Sequence, residues 1–123
     1  GASDRLKAML GMIAESGLAS PLAVLKRLSG ESAGHMSFPM EGLTLAVDFP
    51  ARDAAADLAL RLEEMTLEAG GRIYLAKDAL ADAATVDAMY PARADWAAEV
   101  AQIDPDGVYE TDLTRRLKLR ALP

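Results

Sequence analysis

Four residues of this chain have types and spacing suited to binding chemistry: Lys26, Thr44, Tyr74 and Lys77. The first three fall in segments with strand patterning, and alternate residues of a strand share a face. Lys26, Thr44 and Tyr74 then project from neighbouring strands onto one face of a sheet, with Lys77 at a strand end. A lysine on a concave face holds an anion or donates to a sugar hydroxyl. The same pattern describes an ordinary solvated sheet face, and spacing alone does not separate the two. Other chemistries are poorly supplied. Asp48, Asp78 and Asp112 fall in no spacing that pairs carboxylates for acid–base work. The chain has one histidine, His35, and no cysteine, so no metal site is expected. His35 lies in a stretch rich in Gly and Ser and reads as a solvated loop residue. There is no glycine-rich phosphate loop, no HExxH and no GxSxG.

The clearest positioning element is the segment 42–50. Leu43, Leu45, Val47 and Phe49 alternate with Thr44, Ala46 and Asp48, between Gly42 and Pro50. One face is bulky and apolar and the other small and polar. A strand lining a pocket shows this, and so does an antiparallel strand with a solvated outer face. Pro21 precedes a second strand, 22–28, in which Leu22, Val24 and Lys26 share a face. The segment 29–42 between them reads as a long hairpin loop. A third strand is expected over 72–76, with Ile73 and Leu75 inward and Tyr74 on the other face.

Helices flank these strands. Ser3 is expected to cap the first, in which Leu6, Met9, Leu10 and Ile13 recur at helical spacing and Gly17 is the left-handed stop. Asp53 is expected to cap the second. Its Ala55, Leu58, Leu62, Met65 and Ala69 form one face, with Leu60 and Leu67 opposite. That second stripe reads as a face covered by a neighbouring domain or as stray surface leucines. Gly70-Gly71 stops this helix. The last third reads as helical: 83–89, then 92–103 with Trp96, Val100 and Ile103 on one face. Next come an Asp104-Pro105-Asp106-Gly107 turn and a short helix capped by Thr111 that carries Leu113 and Leu117. Arg115, Arg116, Lys118 and Arg120 beside it suit a helix C-terminus or a solvated tail. The order helix, strand, strand, helix, strand gives an α+β class: an antiparallel or mixed sheet with helices on one face. It is a ferredoxin-like (split βαβ) piece lacking its first strand, followed by a helical C-terminal tail.

Composition narrows the function. A chain of 123 residues that is 51% hydrophobic and 26% charged is ordinary globular material of one domain's length. A net charge of −6 argues against a nucleic-acid partner. No apolar run is long enough to span a bilayer and no signal peptide is visible, which reads as cytoplasmic. The opening Gly1-Ala2-Ser3 reads as a tag scar or as an excised piece of a longer protein. Unpaired strand edges and the Leu60/Leu67 stripe suggest a homodimer.

Several motifs together resemble the C-terminal part of FAD-linked oxidases of the vanillyl-alcohol oxidase superfamily. They are Val24-Leu25-Lys26-Arg27, Ser37-Phe38-Pro39, Val47-Asp48-Phe49-Pro50, Gly71-Arg72-Ile73-Tyr74-Leu75-Ala76-Lys77-Asp78 and Met89-Tyr90-Pro91 with Trp96. Asp104-Pro105-Asp106-Gly107-Val108-Tyr109 and Asp112-Leu113-Thr114-Arg115-Arg116-Leu117 complete the set. The resemblance implies that residues 1–80 are the end of a substrate-binding (cap) domain and 81–123 a helical tail returning to an upstream FAD-binding domain. It implies FAD in the parent enzyme, none bound by this chain alone, and a chain inactive by itself. Lys77 matches a catalytic lysine beside flavin and substrate, and Tyr74, Lys26, Thr44, Ala46, Leu22 and Val24 match the substrate pocket. Mycobacterial members of the family carry Cys at the position of Ala46 and Asn at that of Thr44, so the resemblance implies only oxidation of a sugar or sugar-derived alcohol. A stand-alone, non-enzymatic ferredoxin-like module for ligand binding or oligomerisation is the alternative.

Overall fold

Among the described residues, helical and strand periodicity resolve into five α-helices, one 3-10 turn and a two-stranded antiparallel sheet. This computed structural model describes residues 1–30 and 32–122; Glu31, in the expected loop, lies outside them. Among the described residues no helix is long and apolar enough to cross a membrane. The chain divides into two compact units, Gly1–Ser32 with Pro39–Gly71, and Ala33–Phe38 with Arg72–Pro123.

The first unit is the hairpin and its two helices. Helix α1 (Ala2–Ser16) begins before Ser3, which sits in its first turn and is not the cap. It ends at Gly17, whose φ of 64° is the left-handed conformation glycine adopts without strain. Ser16 Oγ donates to Ile13 O at 2.7 Å and accepts from the Leu18 N–H at 3.2 Å, closing the helix end. Strands β1 (Ala23–Leu28) and β2 (Gly42–Val47) pair with Ala23 opposite Val47 and Leu28 opposite Gly42. In helix α2 (Asp53–Glu68) Arg52 is the cap position and Asp53 the first helical residue, where its charge still suits the helix N-terminus. Helix α1 packs against α2 and β2. The buried residues are Ile13, Ala55 and Leu58, while Leu62 and Met65 are only half-buried. Leu60 is exposed, as the helical wheel requires, and Leu67 is half-buried. A Cβ on Gly71 would lie 3.0 Å from Thr66 Cγ2 and 3.2 Å from Thr66 O, so the Gly70-Gly71 stop needs a residue without a side chain.

The second unit departs from expectation at its start. The strand expected over 72–76 does not form among the described residues. The backbone is extended at Tyr74 and then enters a 3-10 turn (Leu75–Lys77). The reason lies in where its polar groups go. The Tyr90 hydroxyl donates to Ile73 O at 2.5 Å, and the Lys77 N–H donates to Tyr74 O at 3.0 Å. Side chain and turn take the acceptors that a ladder would have used. Helix α3 (Ala83–Met89) is capped by Asp82, which accepts from the Thr85 N–H at 2.7 Å. In helix α4 (Arg93–Ile103) the buried residue is Ala97, while Ile103 is 84% exposed. The Trp96/Val100/Ile103 face is therefore corrected: Trp96 and Val100 are half-buried and Ile103 points away from the core. Helix α5 (Asp112–Arg116) is capped by Thr111 as expected. Tyr90, Val86 and Leu117 are the largest fully buried side chains.

The basic cluster is largely structural. Arg116 donates to Ala81 O at 2.6 Å and to Asp78 Oδ2 at 2.5 Å, where the Asp78 side chain is 3% exposed. Arg120 Nη1 donates to Asp104 Oδ2 at 2.6 Å. The buried Asp104 carboxylate also accepts from the Val108 and Tyr109 N–H groups, at 2.8 and 3.1 Å, which closes the Asp-Pro-Asp-Gly turn.

Two outcomes follow. Leu58→Ala removes a buried side chain and should destabilise the chain by about 2–4 kcal/mol, with Leu60→Ala costing less than half of that; urea midpoints that fall equally refute this packing. The hydrogen bond from Arg120 holds the Asp104 carboxyl below its ordinary 3.8. A depressed folded value stabilises above the unfolded value and is lost as pH falls through the folded one. Asp104→Asn should therefore be less stable at neutral pH and lose less stability on acidification; parallel acid limbs in both proteins would contradict the pairing.

Candidate functional site

The hairpin register decides which side chains meet. Val24 lies opposite Ala46 and Lys26 opposite Thr44. Directly opposed residues of an antiparallel pair share a face with Cβ atoms about 5 Å apart. Two steps along a strand returns to that face, so these four residues form one patch, apolar at Val24/Ala46 and polar at Lys26/Thr44. Leu22 lies just before β1, 62% exposed. It is tied in by Ser20, whose N–H donates to Asp48 O at 2.9 Å and whose Oγ accepts from the Leu22 N–H at 3.2 Å. Lys26 is exposed, Thr44 and Ala46 are half-buried, and Val24 is 39% exposed. The opposite face carries Leu25 against Leu45 and Ala23 against Val47.

Tyr74 and Lys77 belong to the second unit. Tyr74 is 49% exposed, and its ring centroid lies 5.1 Å from that of Phe38 at a tilt of 49°. Its backbone is fixed on one side by the bond from Tyr90 to Ile73 and on the other by the 3-10 turn. Lys77 ends that turn and is exposed. The acid beside it is occupied: Asp78 accepts from the Leu80 and Ala81 N–H groups at 3.1 and 2.8 Å and from Arg116. Among the described residues neither the Lys77 nor the Lys26 ammonium has an ionic partner. No group of three potential metal ligands gathers among the described residues.

The supports of Tyr74 were not legible as such. Arg72 lies over the Tyr90 ring, 5.2 Å from its centroid, and donates from Nη1 to Ser37 O at 2.8 Å. Burial pushes the Tyr90 hydroxyl up to about 12, against the opposing charge of Arg72. His35 is not a freely solvated loop residue: its Nε2 lies 3.1 Å from Glu99 Oε1.

The chain was compared with known proteins. No family model matches the chain. Over 118 residues, 96% of the chain, it is 37% identical to decaprenylphosphoryl-β-D-ribose oxidase of Mycolicibacterium smegmatis, covering 26% of that protein. Over 120 residues, 97% of the chain, it is 38% identical to a Streptomyces coelicolor protein named only as an uncharacterized protein in the mprA 5′ region, covering 33% of it. The chain thus spans about a quarter to a third of the length of these curated relatives. The first match bears out the resemblance to the FAD-linked oxidases.

The buried Tyr90 hydroxyl holds the Ile73 carbonyl just before Tyr74, and its burial should be measurable. Its raised value means that above the ordinary 10.0 the unfolded chain ionises first, so stability falls as pH rises from 10.0 to about 12. Tyr90→Phe should cost about 1 kcal/mol at neutral pH for the lost hydrogen bond and should flatten that alkaline limb. An unchanged limb would show that Tyr90 is not buried as described.

Proposed function

We propose that this chain, related over nearly its whole length to part of an FAD-linked oxidase, is the substrate-binding portion of an FAD-dependent oxidoreductase that oxidises a sugar or sugar-derived alcohol. The observation that carries the reading is the hairpin register. It puts Lys26 beside Thr44 and Val24 beside Ala46 on one face, and the family resemblance assigns these same residues to the pocket.

In this reading residues 1–80 end a cap domain and 81–123 form a tail that meets an upstream FAD-binding domain. FAD, when bound, supplies the acceptor for the hydride leaving the carbinol carbon. Lys77 fits a contact to the polar edge of that group, because its ammonium is exposed and its neighbour Asp78 is committed to Arg116. Its role is to orient the substrate hydroxyl or to stabilise charge near the flavin. Lys26, Thr44 and Tyr74 bind sugar hydroxyls, and Leu22, Val24 and Ala46 supply apolar contacts. The mycobacterial relative is named for a lipid-linked ribose. At Thr44 and Ala46 this chain differs from the mycobacterial pattern, so the class of substrate carries over and not that molecule.

Lys77→Met in the full-length flavoprotein carrying this chain tests the assignment. Anaerobic flavin reduction by those of a panel of pentitols that reduce the unmodified protein should slow by about a hundredfold or more. The urea midpoint should hardly move, since an exposed lysine contributes little to stability. Reduction rates within about twofold of the unmodified protein would remove Lys77 from the chemistry, that factor being well under the tenfold that 1.4 kcal/mol represents.

A further inference from the structure

The segment Ala33–Phe38 belongs to the same compact unit as Arg72 and the residues after it, although more than thirty residues of the other unit separate them in sequence. Three attachments hold it there. His35 Nε2 lies 3.1 Å from Glu99 Oε1. Arg72 Nη1 donates to Ser37 O at 2.8 Å. The Phe38 ring packs on Tyr74, centroids 5.1 Å apart. Between the first two, the Ser37 N–H donates to Gly34 O at 3.0 Å and closes a tight turn.

These attachments share a target. The main chain at Tyr74 is fixed, but a half-exposed tyrosine ring still turns about its own side-chain torsions. Phe38 is the aromatic partner against which that ring rests, and tilted ring pairs are directional contacts. Phe38 in turn is placed by a loop that would otherwise sample many conformations. His35–Glu99 and Arg72–Ser37 remove that freedom just before Phe38. Arg72 itself lies over the Tyr90 ring, 5.2 Å from its centroid, and reaches from there to Ser37 O.

We propose that 33–38 is a strap that orients the Tyr74 ring, with Phe38 as a positioning residue that sets how tightly the sugar substrate fits. The inference rests on the reading of Tyr74 as a substrate contact. His35 and Glu99 act on the pocket only through Phe38.

The strap is tested by nuclear Overhauser contacts between the Phe38 and Tyr74 rings in the 123-residue chain. His35→Ala and Glu99→Gln, both at exposed or half-exposed positions, should weaken that ring-to-ring signal severalfold and shift the Tyr74 ring resonances. An unchanged signal in both variants overturns the strap. In the full-length flavoprotein, with the pentitol that reduces the flavin of the unmodified protein fastest as probe, Phe38→Ala should raise KM severalfold at nearly constant kcat, and Phe38→Trp should restore it. In a Tyr74→Ala background Phe38→Ala should add nothing, because residues acting as one unit are not additive; full additivity overturns the positioning role. A normal KM in Tyr74→Ala removes the substrate reading of Tyr74 alone, and the ring-to-ring signal still decides the strap.

Discussion

A slip of one residue between β1 and β2 would turn every side chain of one strand to the opposite face. The candidate pocket depends on that slip not happening. Three features hold the register. Leu45 and Val47 oppose Leu25 and Ala23, so a slip would exchange these apolar side chains for Thr44 and Ala46. Gly42 begins β2 at a φ of 152°, a conformation that suits glycine at the hairpin's loop end. Beyond the far end, the Ser20 N–H donates to Asp48 O and carries the pairing past the last strand residues. The Lys26–Thr44 and Val24–Ala46 pairs follow from this register without any further contact of their own.

The second unit solves a different problem with a different means. Its opening segment has strand composition but no strand neighbour among the described residues. Side chains satisfy its backbone instead: Tyr90 on Ile73 O and the turn itself on Tyr74 O. The same unit places its acids against its arginines. Asp78 takes Arg116, and Asp104 takes Arg120 and two backbone N–H groups. Such partly buried pairs fix geometry more than they add stability. One consequence reaches the candidate site, because an Asp78 held by Arg116 is not available to neutralise Lys77.

Much of this was legible in the sequence. The strand at 42–47 follows from strict alternation, the stops at Gly17 and Gly70-Gly71 from backbone freedom, and the cap at Thr111 from its hydroxyl. Local patterns of this kind depend only on near neighbours. The strand expected at 72–76 failed because alternation signals a half-buried extended segment and says nothing of whether a partner lies beside it. Ile103 failed because 3.6-residue spacing gives a face but not the element that covers it, and small Ala97 is what the core admits. Arg116, Arg120, His35 and Phe38 were out of reach for a shared reason. Their partners Asp78, Asp104, Glu99 and Tyr74 lie 16 to 64 residues away, and no local spacing encodes such pairs. That Val24 shares a face with Lys26, and Thr44 with Ala46, was legible from periodicity, whereas the joining of the two pairs in one patch needed the register.

A substrate-binding role in a sugar-oxidising flavoenzyme has one direct measurement. The protein that carries this chain, supplied with FAD and freed of oxygen, is titrated with sugar alcohols while the visible flavin absorbance is followed. Bleaching of the oxidised flavin by one of them, with an equivalent amount of carbonyl product formed, is the predicted result. A flavin that stays oxidised against every sugar alcohol, yet is bleached at once by a chemical reductant, would contradict it.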